Sequence, residues 1–579
     1  MTAERRHFLA ELRRRKVYHV AAAYVAASIV VATATAELFD DLLLPDWTPR
    51  LVILLLVIGF PIALVLAWAY EVRPEELGPV EPVTEKAPPP SETPAPTEVA
   101  DVERRKSIVV LPFDNLSPDP ADAYFSDGLT EEVITNLSHL HSLRVISRNS
   151  AMVLKGTQKS TRAIAEELNV QFVLEGSVRK AGNDLRISAQ LIHAAEDEHL
   201  WAETYHGTME DVFLIQEQTA RSIVDALRLS LTPEEDQRLA ERPIEDVQAY
   251  ECYLMARREY WAGTADGLER ARRHLENGLE IVGENVVLLQ GLAEMHLHAY
   301  EAGIRANEET LRAAEDLADR ITALKPDSPY SHYIAGRIER FRGSCTKAAE
   351  HWERALDVDP DHSSSLLFLN TCYALQAGRV DEAWPLRERI LAYDPLNILS
   401  WYSVGMFHWM RGELEEALST FRQAGRLVDG SDWVDAISAY IMIWQNRRNE
   451  AVALVEDLIE RDTPDLITEW ALFLREALKG EGAAAHEHLS EETRRFLWND
   501  PEFVWLAAST FALAGQKEEA LDWLEHAVDR GWINYPLFAE QDPLLESVRS
   551  EDRFKRLMKR VKREWEDFGS RPGVRLGRA

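Results

Sequence analysis

The 579-residue chain carries 64 basic against 97 acidic side chains, a formal net charge of -33. A field of that sign repels polyphosphates before local contacts form, which argues against nucleic acid as a partner. The length exceeds one hydrophobic core and, at roughly 150 residues per domain, suggests about three or four folding units unless repeats change the count.

Val17 to Ala36 holds no formally charged side chain apart from the titratable His19, and about twenty helical residues rise ~30 Å, one hydrocarbon core. A second uncharged run, Leu51 to Tyr70, repeats the length and contains Pro61, which a membrane helix tolerates when neighbouring groups satisfy the freed carbonyl. Spans at about 17–36 and 51–70 therefore predict a transmembrane hairpin within residues 1–71. Arg5, Arg6, Arg13, Arg14, Arg15 and Lys16 precede the first span, whereas Asp40, Asp41, Asp46 and one Arg50 lie between the two. By the positive-inside rule the amino terminus and everything after Tyr70 are expected in the cytoplasm of a bacterium, anchored to its inner membrane. Ala32, Ala34 and Ala36 offer a rival reading, a cleaved signal peptide, but the apolar run exceeds the usual h-region of roughly 7–15 residues. Residues 72–106 shift to Pro, Glu, Thr and Ala, including Pro88-Pro89-Pro90, the composition of an extended hydrated tether.

A small α/β domain with a mixed sheet is expected over 107–232. Ser107 to Phe113 is a buried strand stopped by Pro112, and Leu129, Val133, Ile134, Leu137 and Leu140 recur at helical spacing behind Thr130, Glu131 and Glu132. Leu143–Ser147 suits a second strand and Thr161–Leu168 a second helix. Gln171–Val178 and Leu185–Ile192 flank Ala181-Gly182-Asn183-Asp184 as a hairpin, and a last helix covers about Val212 to Leu231.

Three of these segments, Ser107-Ile-Val-Val-Leu-Pro-Phe-Asp-Asn-Leu-Ser117, Tyr124-Phe-Ser-Asp-Gly-Leu-Thr-Glu-Glu132 and Val173-Leu-Glu-Gly-Ser-Val-Arg-Lys180, with His199-Leu-Trp-Ala-Glu203 beyond them, resemble the TolB amino-terminal-like, or FlgO-like, domain. The resemblance implies an α/β accessory module with no catalytic residues to carry over. In related chains the module and a following repeat array accompany a nucleotide cyclase, a protein kinase or a winged-helix domain, whereas here the expected neighbour is the membrane hairpin.

From about 246 to 566 the pattern is helical with a beat near 34 residues, marked by Gly343, Gly378 and Gly412. Trp401, Val404, Gly405, Gly412, Ala417, Phe421, Ala424 and Leu427 fall where tetratricopeptide repeats place core residues, small contacts and the interhelical turn. Gly336, Gly343, Ala348, Trp352, Ala355 and Pro360 give the preceding register. About seven or eight helical hairpins are expected, in an all-α solenoid with a concave surface for an extended or helical peptide, followed by a flexible tail at 567–579. Tyr402, Met406, Trp409 and Met410 are candidate groove residues, the alternative being that they pack into the adjacent repeat.

The remaining motifs weigh toward structure. Ser177-Val-Arg-Lys180 satisfies an SxxK pattern, but in a hairpin rather than at a helix start. The pairs His139/His141, His296/His298 and His486/His488 lack further ligands for a metal, and Asp119, Asp122 and Asp127 lack the spacing of a calcium loop. Cys252, Cys345 and Cys372 show neither zinc spacing nor a disulfide framework and read as small core residues in a reducing compartment. With no phosphate loop, GxSxG elbow or HExxH helix, neither a reaction nor a cofactor is expected. Lys555, Arg556, Lys559, Arg560, Lys562 and Arg563 surround Phe554, Leu557, Met558, Val561 and Trp565 as a basic amphipathic helix, either a solvated cap or a lipid-facing surface. The chain thus reads as multidomain: a two-span transmembrane hairpin, an α/β module and a tetratricopeptide solenoid. Together these form a membrane scaffold for protein partners, with self-association compatible. The alternative is a sensor whose α/β unit binds a small ligand and whose repeats relay the state to an effector.

Overall fold

The apolar run at 107–110 becomes the body of β1 (Lys106–Val110), with Ile108, Val109 and Val110 fully buried. A strand covered on both faces shows continuous rather than alternating apolar sequence. β1 accordingly lies inside the sheet, parallel to β3 (Leu143–Val145) on one side and β4 (Phe172–Ala181) on the other. In this computed structural model residues 105–261, 264–427, 432–461, 465–480, 486–500 and 502–571 are described. The expected spans at 17–36 and 51–70 and nearly all of the 72–106 tether lie outside them. Among the described residues no helix is long and apolar enough to cross a membrane. The chain divides at Pro94, and all described residues belong to the unit Ala95–Ala579.

Gly182, at φ 64°, and Asn183 turn β4 into β5 (Asp184–His193), which pairs antiparallel with it, and β6 (Glu198–Thr208) follows antiparallel to β5. The order is β3-β1-β4-β5-β6, with β2 (Asp114–Asn115) pairing to the far end of β4. β6 is absent from the sequence reading because most of its side chains are exposed on both faces, so no period-two pattern marks it. Helix α1 (Ala123–Ser138) buries Leu129, Val133, Ile134 and Leu137 and leads from β1 to β3. Helices α2 (Arg148–Val153) and α3 (Thr161–Leu168) start at Ser147 and Ser160, whose hydroxyls accept from backbone N–H groups three residues on. Helix α4 (Val212–Ala226) stops short of the expected Leu231 because Arg228 turns to φ 50°. Thr232 and Glu235 then form a capping box that starts α5 (Pro233–Ala240).

The repeats follow as helix pairs: α6 (Val247–Trp261) with α7 (Ala265–Val282), α8 (Val286–Glu301) with α9 (Glu308–Leu324), and α10 (Pro329–Phe341) with α11 (Cys345–Val358). Helix α12 (Ser363–Thr371) widens into a π turn over Cys372–Gln376 before α13 (Val380–Tyr393). The pairs α14 (Ile398–Met410) with α15 (Leu414–Leu427) and α16 (Asp432–Trp444) with α17 (Arg448–Glu460) come next. They lead to α18 (Asp465–Lys479) with α19 (Glu491–Asn499), and α20 (Phe503–Leu513) with α21 (Lys517–Asp529). The short α22 (Glu546–Arg549) and the long α23 (Asp552–Gly569) end the array. Gly343, Gly378 and Gly412 all adopt left-handed φ, 83°, 63° and 79°, in the turns between paired helices.

Two expectations are corrected. Cys345 and Cys372, read as separate core residues, form a disulfide between the start of α11 and the π turn, their Cα atoms 6.3 Å apart; the helices meet there although 27 residues of chain intervene. The tail expected from 567 is ordered at its start, since α23 runs to Gly569 and Arg571 pairs with Glu353 at 2.9 Å.

The small residues of the repeat pattern act through close approach. A Cβ added at Gly405 would lie 2.8 Å from the Phe421 ring, so α14 and α15 meet only because that position lacks a side chain. Gly405→Val is expected to cost about 1–3 kcal/mol by overpacking, read as a lower urea midpoint with unchanged slope. The exposed Glu416→Ala control stays within about 0.5 kcal/mol of the parent.

Candidate partner interface

Charged side chains form two chains of ion pairs, one from the α/β module into the first two repeats and one from the second repeat to the eighth. Glu131 of α1 lies 2.8 Å from Arg148 of α2 and 2.6 Å from Arg257 of α6, which reaches Glu294 of α8 at 3.3 Å. Glu301, two turns along α8, pairs with Arg337 of α10 at 2.6 Å and stands 3.7 Å from Arg340. Arg340 continues to Glu502 at 3.0 Å, and the Tyr402 hydroxyl of α14 donates to Glu502 at 3.0 Å. Aromatic rings support the cations, with Arg337 5.2 Å from the Phe368 ring and Arg257 5.7 Å from that of Tyr260. Burial, with the neighbouring Glu131, pushes the Glu132 carboxyl up to about 7. Burial likewise lifts Glu502 to about 7 against the pull of Arg340, and raises Glu294 although Arg257 and Arg337 oppose it.

Tyr402, Met406, Trp409 and Met410 do not line an open groove: they are 6 %, 4 %, 0 % and 3 % exposed. The Tyr402 ring lies 4.3 Å from Trp433 of the next repeat, and Trp409 packs 5.4 Å from Trp444 and 5.3 Å from Trp505 of α20. The Asn534 amide sits 3.9 Å from the Met410 sulfur and donates to the Leu375 carbonyl at 2.9 Å. The physical reason is that the C-terminal repeat folds back across the middle of the array. Arg530 donates to the Phe341 carbonyl at 2.6 Å and Ile533 to that of Gln376 at 2.9 Å. A side chain at Gly343 would overlap the Asp529 carbonyl.

The α/β module docks on the first repeat and on the link between α13 and α14. Lys180 pairs with Glu251 at 2.7 Å and with the Tyr124 hydroxyl at 2.9 Å, and the Leu254 side chain fills the space above Gly128. Ser147 and Ser150 both hydrogen-bond Asp394, the latter at 2.6 Å, and the Leu396 N–H donates to Ser150 at 2.9 Å. These contacts had no sequence signal beyond polar residues near helix ends.

The remaining candidates settle into structural positions. Asp119 accepts from the Ala121 N–H at 2.8 Å, Asp127 pairs with Lys155 at 2.6 Å, and Asp122 lies 3.7 Å from Lys180. Ser177 sits within β4 opposite Ser188, while the Lys180 ammonium is engaged by Glu251. Burial lowers His139, His296 and His298 from the ordinary histidine range, and no group of His, Cys, Asp and Glu able to hold a metal occurs among the described residues. On α23, Phe554, Leu557, Met558 and Val561 are buried, and Lys555, Arg556, Lys559, Arg560, Lys562 and Arg563 are all exposed.

Residues 104–223 match the family described as HilA/YgeH-like transcriptional regulator, second domain, and 333–383 and 371–432 match the tetratricopeptide repeat. The chain therefore carries tetratricopeptide repeats. A protein of Rhizobium meliloti (strain 1021) named "Putative adenylate cyclase 3" is 43% identical over 201 residues, 35% of this chain and 33% of its own length. This chain thus spans about a third of that relative. Similar solved structures include the TPR protein YrrB (16% identity, 34% of this chain and 95% of that one, TM-score 0.25). Human IFIT1 with PPP-AAAA is another (15%, 54% and 78%, 0.35), as is the Cut9–Hcn1 assembly of APC/C (11%, 62% and 76%, 0.34).

Arg340→Met leaves Glu301 and Glu502 short of a buried cation and is expected to cost about 3–5 kcal/mol in urea denaturation, with Arg340→Met/Glu502→Gln recovering part of it. Glu132 has a folded pKa of about 7 against an ordinary 4.5. Its proton therefore adds stability that is full below 4.5 and lost as pH rises through about 7. Glu132→Gln should match the parent's melting temperature at pH 4 and exceed it at pH 8, by an amount corresponding to about 1–3 kcal/mol.

Proposed function

We propose that this chain is a membrane-anchored tetratricopeptide-repeat scaffold that gathers protein partners at the cytoplasmic face of a bacterial inner membrane. The two uncharged runs at 17–36 and 51–70, with basic residues before the first and acidic ones between them, support the anchor. The α/β module, TolB amino-terminal-like or FlgO-like by its sequence segments, serves as an accessory contact fused to the repeats, and no reaction is assigned to it.

The observation that carries the recruiting role is Trp384 on α13, within the matched repeats. Its side chain is 38% exposed, lies 4.5 Å from the Arg387 guanidinium and 5.7 Å from that of Arg411, and rests on Phe407. Tryptophan and arginine dominate the energetics of protein interfaces, and with the middle groove filled by the chain itself the outer surface is what a partner meets. Crosslinked pull-down from native membranes tests this with the full chain, Trp384→Ala and a chain ending at Leu231. The expected result is loss of partners from the truncated chain and at least a ~10-fold drop for Trp384→Ala with the helical circular-dichroism signal of the parent retained. The same partners retained by the truncated chain would remove the repeats as the recruiting surface. Reporter fusions after Tyr70 should be active as cytoplasmic enzymes and silent as periplasmic ones.

A second reading makes the α/β unit a small-ligand sensor and the repeats its relay. It is favoured by the ion-pair chain running from Arg148 through Arg257 to Glu294, and by the relative named a putative adenylate cyclase. Calorimetry of the full chain against a metabolite panel separates the two, since silent titrations throughout would leave sensing without support.

A further inference from the structure

In a chain with 97 acidic side chains and 64 basic ones, an exposed cation ordinarily finds an acidic neighbour. On α23 some do: Arg560 pairs with Asp529 at 2.6 Å and Glu564 at 2.9 Å, Lys555 with Asp552 at 3.4 Å, and Lys562 with Glu566 at 4.0 Å. Arg556, Lys559 and Arg563 have no ion-pair partner among the described residues and are exposed. They stand at i, i+3 and i+7, so they share one stripe of the helix, flanked by Lys555, Arg560 and Lys562. The apolar side of α23 is buried on the array, leaving the stripe to face outward on a rigid support.

Arg105, the first described residue, pairs with Asp361 at 3.0 Å, just beyond α11, and Arg571, just after α23, pairs with Glu353 at 2.9 Å within α11. Those two acids are eight residues apart, in α11 and the link that follows it, which bounds their separation at about 29 Å of chain. The end of the basic helix and the first described residue of the chain therefore both contact α11 or the link that follows it.

We propose that the Arg556–Lys559–Arg563 stripe docks on the anionic phospholipid headgroups of the membrane that anchors the chain, an inference that rests on the anchoring proposed above. Three cations attract such a surface within a Debye length of about 8 Å. If residues 72–106 act as the tether that their Pro, Glu, Thr and Ala composition predicts, they keep the helix at high effective concentration near that surface, so an attraction too weak for free protein suffices. Docking fixes which side of the array faces the membrane and which side faces partners. A polynucleotide is the less fitting anion, because the charge of -33 on the whole chain repels it from every other side.

The test uses the full chain in nanodiscs, with a donor dye on Ser570→Cys in a Cys252→Ser background and an acceptor-labelled headgroup lipid. Transfer efficiency is expected to rise at least ~2-fold from phosphatidylcholine discs to discs with about 30% phosphatidylglycerol at low salt, and to fall back at about 0.5 M salt. Arg556→Glu/Lys559→Glu/Arg563→Glu should abolish the rise at unchanged melting temperature, whereas Arg162→Glu/Arg186→Glu/Arg312→Glu, exposed elsewhere, should retain it. Chain that enters the discs but transfers equally in both lipids overturns the docking alone. Equal transfer together with stripe-dependent binding of a single-stranded oligonucleotide reassigns the stripe to polynucleotide. Chain that fails to enter the discs overturns the anchoring, and the docking with it.

Discussion

The arrangement of the described residues depends on a row of buried and half-buried charges that pair across elements far apart in sequence. Arg148, Glu131, Arg257 and Glu294 bind the α/β module to the first two repeats. Arg337, Glu301, Arg340 and Glu502 bind the second and third repeats to the last. Each charge has left bulk water, and its desolvation is offset only while its partner stays in place. Arg337 and Arg340 are each 5% exposed as side chains, so neither can be rehydrated without opening the array. The raised carboxyls of Glu132, Glu294 and Glu502 show the same tension, burial outweighing the arginines beside them.

An ideal solenoid is quasi-one-dimensional: each repeat touches its neighbours, and stability is a sum of local terms. The array departs from that ideal where Glu502 meets Arg340, 162 residues earlier in the chain, and where Asn534 reaches Leu375 and Met410. Such contacts couple the third, fourth and fifth repeats to the eighth, so opening one end requires breaking pairs in the middle. The left-handed Gly343, over which the Asp529 carbonyl passes, serves both the local turn and the long-range closure. With that groove filled, the partner recognition proposed above falls to the outer surface. The surface then offers isolated features, such as Trp384 between two arginines and the basic face of α23, in place of one continuous peptide-binding trough.

Much of the helical architecture was legible because its signals are local. Gly405 opposite Phe421 and Gly336 against Trp352 obey a spacing that any pair of closely packed helices imposes. The continuous apolar run of β1 announced a strand covered on both faces. The same logic missed β6, whose exposed side chains carry no alternation and whose existence is a matter of backbone pairing to β5. For Tyr402, Met406, Trp409 and Met410 it left groove lining and packing into the adjacent repeat both open, and the four side chains are buried: the pattern located them on the first helix of a repeat but carries no information on what covers that helix.

By itself, the sequence determined the succession of elements: the two uncharged runs, the strand and helix periods of the module, and the 34-residue beat with its turn glycines. These follow from helix and strand geometry and from the steric freedom of glycine, which act over a few residues. Tertiary structure alone decided that the C-terminal repeat closes over the middle of the array, that Cys345 meets Cys372, and that a chain of charges ties the module to the repeats. The closure depends on the summed small rotations between many successive helix pairs, which bring surfaces 100 or more residues apart into contact, and the disulfide depends on how two neighbouring repeats pack. No local pattern of residues encodes that sum.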